Sequence, residues 1–267
     1  MRKLSLTAFG DSGIERFDAT TRTTVTMNLL DRPVWASLTN AHAHLSVGGD
    51  MARRYAPDVN RFASACDDSD AALDALTHLV QPADQIFILQ VPEIAIPAGL
   101  TAIKRAMGVQ MVASVPVAPP DFGPNDIVLL GDQDEAEMLA LATLTEPGPF
   151  LRHTRCMGSF FGIRIDGRLV AMAGERFRFP GYTEVSGVCT HPDFRGHRLA
   201  GCLSRHVAAA IAARGEIAIL HAWKDNATAI SLYEKLGFRL RCEVFVAVLR
   251  RPTGNEVRAC VGRESGE

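Results

Sequence analysis

Apolar and polar residues alternate in two distinct rhythms along this chain, and the rhythm becomes clearer in its second half. Residues Val34 to Leu45 have a helical pattern. From Asp70 to Val80, Leu73, Leu76, Leu79 and Val80 recur at helical spacing, with Asp70 as a cap. Ile86 to Val91 is a short apolar run, the mark of a buried strand. Leu100 to Met107 reads as a helix ended by Gly108, and Val109 to Val117 as a further strand. Four prolines and a glycine then crowd into Val115 to Asn125. Proline fixes φ and removes a donor, so this stretch reads as a linker.

Beyond it, Ile127 to Leu130 reads as a strand. Asp132 to Leu144 reads as a helix with Ala136, Leu139, Ala140 and Thr143 on one side. Ser159 to Ile165 and Arg168 to Phe177 flank the turn Asp166-Gly167, a hairpin signal. Tyr182 to Thr190 is a strand, and Leu199 to Ala213 a helix whose inner face carries Leu199, Cys202, Leu203, Val207, Ala210 and Ile211. Glu216 to Ala222 is a strand, Asn226 to Leu236 a helix between an Asn cap and Gly237, and Phe238 to Leu240 and Glu243 to Leu249 are strands. The order β-α-β-β-β-α-β-α-β-β predicts an α+β domain with a mixed, mostly antiparallel sheet flanked by helices. The chain divides into an N-terminal α/β region, 1–118, a Pro-rich linker, 119–125, a domain over 126–250 and a polar tail, 251–267. The Thr-rich patch Thr20 to Thr24 belongs to a weakly ordered leader or first strand.

The segment VSGVCTHPDFRGHRLAGCLSRH, Val185 to His206, carries the first chemical signal. A strand runs into a short loop that opens a helix. The first amides of a helix lack internal partners and sit at the positive end of its dipole, so they bind anions. Gly196 allows close backbone approach, and Arg195 and Arg198 add positive charge. These features also fit an ordinary strand-to-helix turn with solvated arginines. The second signal is HAWKDNATAISLYEKLGFRL, His221 to Leu240.

Together the two segments resemble the GNAT superfamily of acyl-CoA N-acyltransferases. Its pyrophosphate motif, R/Q-x-x-G-x-G/A after a strand and a Val-x-Pro-like turn, is matched by Arg195-Gly196-His197-Arg198-Leu199-Ala200 behind Val188-Cys189-Thr190-His191-Pro192. Its second motif, N-x-x-A-x-x-x-Y-x-x-x-G-F, is matched by Asn226, Ala229, Tyr233, Gly237 and Phe238. The resemblance covers about half the chain. One departure stands out: Arg198 occupies the fourth position, where the motif has glycine.

The resemblance implies an acetyl-CoA or other short acyl-CoA cosubstrate held by Val188, Cys189, Thr190, Arg195, Gly196, His197, Arg198, Leu199, Ala200 and Asn226. It implies an oxyanion donor among the amides near Val188 and Cys189, at a strand bulge. It also makes Tyr233 the acid that protonates the leaving thiolate, against the plainer reading of a packed aromatic. Glu184 lies four residues before Val188, which places it on the same face of a regular strand and makes it a candidate base, direct or through a water. Glu175 and His191 are lesser candidates. Several members of the superfamily pair a degenerate copy with an active one, which is one reading of residues 1–118. The implied acceptor is a small-molecule amine or a peptide, with the oligomeric state open and a homodimer among the options.

Composition narrows the field. The 267 residues carry a net charge of −2, which argues against broad binding to nucleic acid or an anionic membrane. Cys66, Cys156, Cys189, Cys202, Cys242 and Cys260 form no metal-type spacing, so no metal is expected. No apolar run approaches a membrane span and no secretory signal is apparent, so a reducing cytoplasm is the simplest placement. Other readings remain: a non-catalytic acyl-CoA-binding module, a metal-dependent hydrolase built on His42 and His44, and Cys189 as an acyl-carrying nucleophile.

Overall fold

The computed structural model describes residues 13–16, 25–114 and 127–253. The Thr20–Thr24 patch, the whole Pro-rich stretch and nearly all of the polar tail lie outside them. Three sheets are present among the described residues. A small hairpin pairs β1 (Gly13–Arg16) with β2 (Val25–Asn28). The helix α1 (Pro33–Leu38) precedes a three-stranded sheet of β3 (Ser46–Gly48), β4 (Ala52–Tyr55) and β5 (Ala63–Ala65). The expected helix over Val34 to Leu45 therefore shortens to α1 and a separate 3-10 turn, Ala43–Leu45. Helix α2 (Asp70–His78) is capped by Ser69, whose side chain accepts from the Ala72 amide, so Asp70 lies in the first turn instead.

The main sheet contains β6 (Gln85–Gln90), β7 (Thr101–Ala113), β8 (Ile127–Leu130), β9 (Phe160–Ile165), β10 (Arg168–Phe179), β11 (Tyr182–Thr190), β12 (Ile217–Trp223) and β13 (Phe238–Arg250). Their spatial order is β6-β13-β7-β12-β11-β10-β9-β8. Every pairing is antiparallel except that of β11 and β12. A parallel pair needs a crossover, which is helix α4 (Leu199–Ala213). Helices α3 (Glu135–Thr145) and α5 (Ala227–Lys235) complete the layers. In α3 the buried residues are Met138, Leu141 and Ala142, a face rotated from the expected one. The helix is apolar nearly all round, so periodicity alone could not choose the inner side.

Two expectations give way in β7. Leu100 to Met107 is a strand rather than a helix, and Gly108 is a mid-strand residue rather than a cap. Ala, Lys, Arg and Met favour helix locally, but Thr101 to Met107 pairs along β13, and the continuation from Gly108 pairs with β12 as well. A Cβ on Gly108 would lie 3.0 Å from the Ala222 carbonyl oxygen and 3.1 Å from Val244 Cγ2, so close neighbours favour glycine there. The boundary expected at 119–125 also does not divide one sheet from another. Strands from 85–113 lie inside the sheet that 127–250 builds, with β7 between β12 and β13.

Two cores cover the sheet. One face packs Val109, Met111, Val185, Leu203, Val207, Leu220 and Phe238 beneath α4 and α5. The other packs Ile219, Val244, Val246 and Phe177 against Leu30, Val34, Leu38, Tyr55 and Phe62 from the N-terminal region. The region before β6 therefore roofs one face of the sheet. No helix among the described residues is long and apolar enough to cross a membrane.

Candidate active site

The parallel pair opens the sheet. β11 and β12 are in register only over Tyr182–Ile217, Thr183–Ala218 and Glu184–Ile219. β11 then departs while β12 keeps pairing with β7 up to Trp223. Beyond Glu184 the two strands therefore diverge into a wedge. On the other edge of β11 the pairing with β10 slips, with Gly187 and Val188 facing the single residue Ala173. Gly187 has φ +61, a conformation that suits the missing Cβ. The expected bulge is thus present beside Val188.

A groove of about 2270 Å³ runs through the wedge. Its lining includes Val188, Cys189, Thr190, Arg195, Gly196, Arg198, Leu199, Ala200, Asn226 and Tyr233, so most of the sequence candidates converge on one cavity. At the mouth, α4 starts at Leu199, and the first intrahelical bond runs from the Cys202 amide to the Arg198 carbonyl. The amides of Leu199, Ala200 and Gly201 have no such acceptor and are available to an anion. Gly196 has φ +84 and open space where a Cβ would stand. Arg198 has φ +61, the left-handed conformation that a glycine would adopt at lower cost. The departure from the motif therefore keeps the loop path. The Thr190 hydroxyl is buried without a hydrogen-bond partner among the described residues, and Thr190 lines the groove. A cradle of free amides, two arginines and an unpartnered hydroxyl fits the pyrophosphate and arm of an acyl-CoA.

One candidate stands apart from the groove, and another both caps a helix and lines the groove as expected. His197 is absent from the lining, and its Nδ1 lies 3.2 Å from the Phe194 carbonyl and 3.1 Å from that of Arg195, so the ring braces the loop. Asn226 caps α5, with its side chain accepting from the Ala229 amide at 3.0 Å, and it lines the groove as well. Cys189 is buried, which pushes its thiol up to about 11 and leaves it a poor nucleophile at neutral pH.

Tyr233 packs against the core and near Phe238, with ring centroids 6.1 Å apart. Burial, and then the Glu184 charge, push its phenol up to about 12. It therefore keeps its proton throughout the neutral range and can act only as a donor there.

Glu184 sits at the apex of the wedge, fully buried. The bulge between Glu184 and Val188 breaks the regular alternation. Val188 packs with Val185 against the α4 core, whereas Glu184 turns to the opposite face. A second bulge faces it, where Arg176 and Phe177 of β10 oppose Glu184 alone. Arg176 clamps the carboxylate with two bonds, Nε to Oε2 at 2.7 Å and Nη2 to Oε1 at 2.6 Å. The Phe177 amide donates to Oε2 at 3.4 Å, and His221 Nδ1 lies 2.7 Å from Oε1. Burial alone would raise the Glu184 pKa, but the charge and hydrogen bonds of Arg176, with the hydrogen bond from His221, hold it well below the usual carboxylate range. A carboxylate offers about four acceptor positions, and four donors occupy them. The expectation of Glu184 as base therefore fails on geometry.

His221 is no free base either. Gln110 Nε2 donates to the Leu30 carbonyl at 2.8 Å, and Arg241 donates to Gln110 Oε1 at 3.0 Å. These two contacts fix which end of the amide is which. The same Nε2 lies 3.0 Å from His221 Nε2, which must then be the acceptor. His221 is thereby held as the neutral Nδ1–H tautomer, donating to Glu184. Arg241 also pairs with Asp31 at 2.6 Å, so the chain of contacts reaches the N-terminal region. Glu175 lies near Arg214, with Oε1 2.9 Å from Nη2 but too oblique for a hydrogen bond. His191 contacts Arg168 at 2.6 Å, and neither His191 nor Glu175 lines the groove.

Sequence reasoning missed Arg176, His221 and Gln110. None stands in a recognised motif position, although His221 begins the segment that ends in the second motif. No group of three metal-binding side chains occurs among the described residues. His42 Nδ1 is engaged with Ser37 Oγ and the Tyr55 hydroxyl, both at 2.9 Å.

Comparisons with known proteins bear on the family and the fold. The family model FR47-like protein matches residues 160–246, from β9 into β13. A crystal structure from Novosphingobium aromaticivorans, assigned to the GNAT family as an acetyltransferase, is 46% identical, covers 84% of this chain and 99% of its own, and has a TM-score of 0.78. A GCN5-related N-acetyltransferase from Kribbella flavida is 20% identical over 86% of this chain and 98% of its own, with a TM-score of 0.57. A GCN5-related N-acetyltransferase-like protein from Streptococcus suis is 16% identical over 81% of this chain and 91% of its own, with a TM-score of 0.51. The last two speak for the fold alone. No curated protein matches the chain.

Proposed function

The chain belongs to the GNAT family, and from that premise we propose that it transfers an acetyl or other short acyl group from CoA to an amine by direct attack in a ternary complex. The observation that carries this reading is the wedge between β11 and β12, which joins the amide cradle at α4 to Tyr233. Arg195, Arg198 and the first amides of α4 hold the phosphates. The thioester carbonyl lies toward the amides at the Val188 bulge, which stabilise the charge that develops on its oxygen. CoA supplies an activated acyl group and a sulfur leaving group.

Attack by the amine nitrogen forms the C–N bond and releases the C–S electron pair to sulfur. Tyr233, protonated at neutral pH, donates to that sulfur. Glu184 serves as a fixed charge that adds to the effect of burial on the Tyr233 phenol and holds Arg176 and His221 in place. The amine proton passes to solvent rather than to a saturated carboxylate, so the acceptor reacts as its free amine.

The test is thiol release from acetyl-CoA across an amine library. We expect release that depends on the amine, with acylated product in equal amount. Tight acetyl-CoA binding with no release for any amine would leave a non-catalytic acyl-CoA-binding module.

A further inference from the structure

The groove continues past the wedge onto the face that the N-terminal region roofs. Three antiparallel strands set its floor in rows. Gln110 pairs with His221, Gly108 lies between Trp223 and Val244, and Ala106 pairs with Val246, itself beside Leu89. In the last row Lys104 pairs with Val248, which pairs with Phe87. Residues directly opposite one another, and those two apart on a regular strand, share a face. Lys104 therefore lies on the face of Gln110, six residues along β7, or about 20 Å away at ~3.3 Å per residue.

The middle of this trench is apolar, lined by Phe62, Phe87, Leu89, Val244 and Val246. Its far end carries two cations, Arg61 and Lys104. Arg61 leads into the bridge that joins Phe62 to Phe87, and its carbonyl accepts from the Phe87 amide. Lys104 Nζ stands 5.0 Å from the centre of the Trp223 ring. Among the described residues neither cation has a carboxylate partner, unlike Arg176, which Glu184 neutralises. Among those residues, too, the only acidic one lining the groove is Glu146. The α4 and α5 side already presents Arg195, Arg198, Arg205 and Lys235 to the phosphates of CoA.

We propose that this trench binds an elongated acceptor whose amine lies at the wedge and whose far end, about 15–20 Å away, is anionic and held by Arg61 and Lys104. An apolar stem would lie along Phe87, the least buried of these residues, beside Phe62, Leu89 and Val246. This rests on the acyltransferase reading and adds the acceptor class to it. At ~3.3–3.6 Å per residue, an extended pentapeptide matches the span.

The probes are pentapeptide amides with a free amino terminus, an uncharged apolar middle and a last residue of glutamate, glutamine or lysine. Thiol release from acetyl-CoA gives kcat/KM, and calorimetry in the presence of CoA gives binding. A charge-assisted contact contributes roughly a tenfold effect or more. We expect the glutamate peptide to lead the glutamine peptide by about tenfold and the lysine peptide by more. Arg61→Gln with Lys104→Gln should erase that order while leaving acetyl-CoA affinity unchanged. Charge-ordered binding without turnover would support the anion site and count against the transferase reading. Turnover that ignores the last residue would overturn the anion site and leave the transferase reading standing. A fall in acetyl-CoA affinity in the double variant would also overturn it, because the cations would then belong to the cofactor.

Discussion

The two walls of the groove are built in different ways. The cofactor wall is local: Arg195 to Ala200 is one loop and the first turn of one helix, and Asn226 to Tyr233 lies on the next. The acceptor wall is assembled from five separated pieces, at Arg61–Phe62, Phe87–Leu89, Lys104–Gly108, Arg176 and Val244–Val246. The local wall supplies what every acyl-CoA needs, free amides and positive charge. On the proposed reading, the assembled wall is where one acceptor is told from another. Between them lies the Glu184 cluster, where β10, β11 and β12 meet.

The largest effect should come from the hinge of this comparison. Tyr233→Phe keeps the ring packed and removes the hydroxyl. General-acid catalysis contributes about 10²–10⁴ in rate. We expect kcat to fall within that range, toward its lower end because a thiolate leaves readily, with acetyl-CoA affinity and melting temperature nearly unchanged. Equal turnover in variant and wild type, with chemistry rate-limiting, would return Tyr233 to a packing role.

Glu184→Gln tests the apex itself. Removing one partner of a buried ion pair costs about 3–5 kcal/mol, because Arg176 keeps an uncompensated charge. In a chain of this size that lowers the melting temperature by on the order of 10 °C. The phenol of Tyr233 should also titrate lower, since the Glu184 charge is one cause of its raised value. A variant as stable as the wild type would mean that the cluster contributes nothing to the fold.

The roof over the acceptor wall should be acid-sensitive before the apex is. Burial pushes His42 down to about 4 from an ordinary 6.5, against a backbone hydrogen bond to Met157 that raises it. The unfolded chain binds this proton below pH 6.5 and the native chain only near pH 4. Stability is therefore full above about 6.5 and falls as pH drops toward 4, by about 3 kcal/mol in all. Glu184, with its pKa held well below the usual carboxylate range, loses its contribution only below about pH 4.5. Melting curves against pH should show these as separate steps, and His42→Gln should remove the upper step. An unchanged upper step in the variant would assign it to another group.

The smallest effect belongs to the local wall, where several groups share the phosphates. Arg195→Ala should weaken acetyl-CoA binding by roughly 1.5–3 kcal/mol by calorimetry. Gly196→Val should weaken it too, because valine is strained at φ +84 and fills the open space beside the loop. Unchanged affinity in both variants would place the phosphates elsewhere.

The sequence by itself determined much of what depends on neighbours along the chain. Leu199–Ala213 is the helix its periodicity predicts, Asp166-Gly167 is the turn, and Asn226 is the cap. Each of these is fixed by contacts within a few residues, which a pattern can encode. Only the tertiary structure decided the rest. It turned 101–113 into a strand because two neighbouring strands supplied partners that outweighed helix propensity. It moved Glu184 to the face opposite Val188 because a bulge, invisible to alternation, inserts one residue between them. It also saturated Glu184 with Arg176 and His221, and fixed His221 through Gln110, a residue 111 positions away. A carboxylate's role depends on which donors reach it in space, and no spacing along the chain records that.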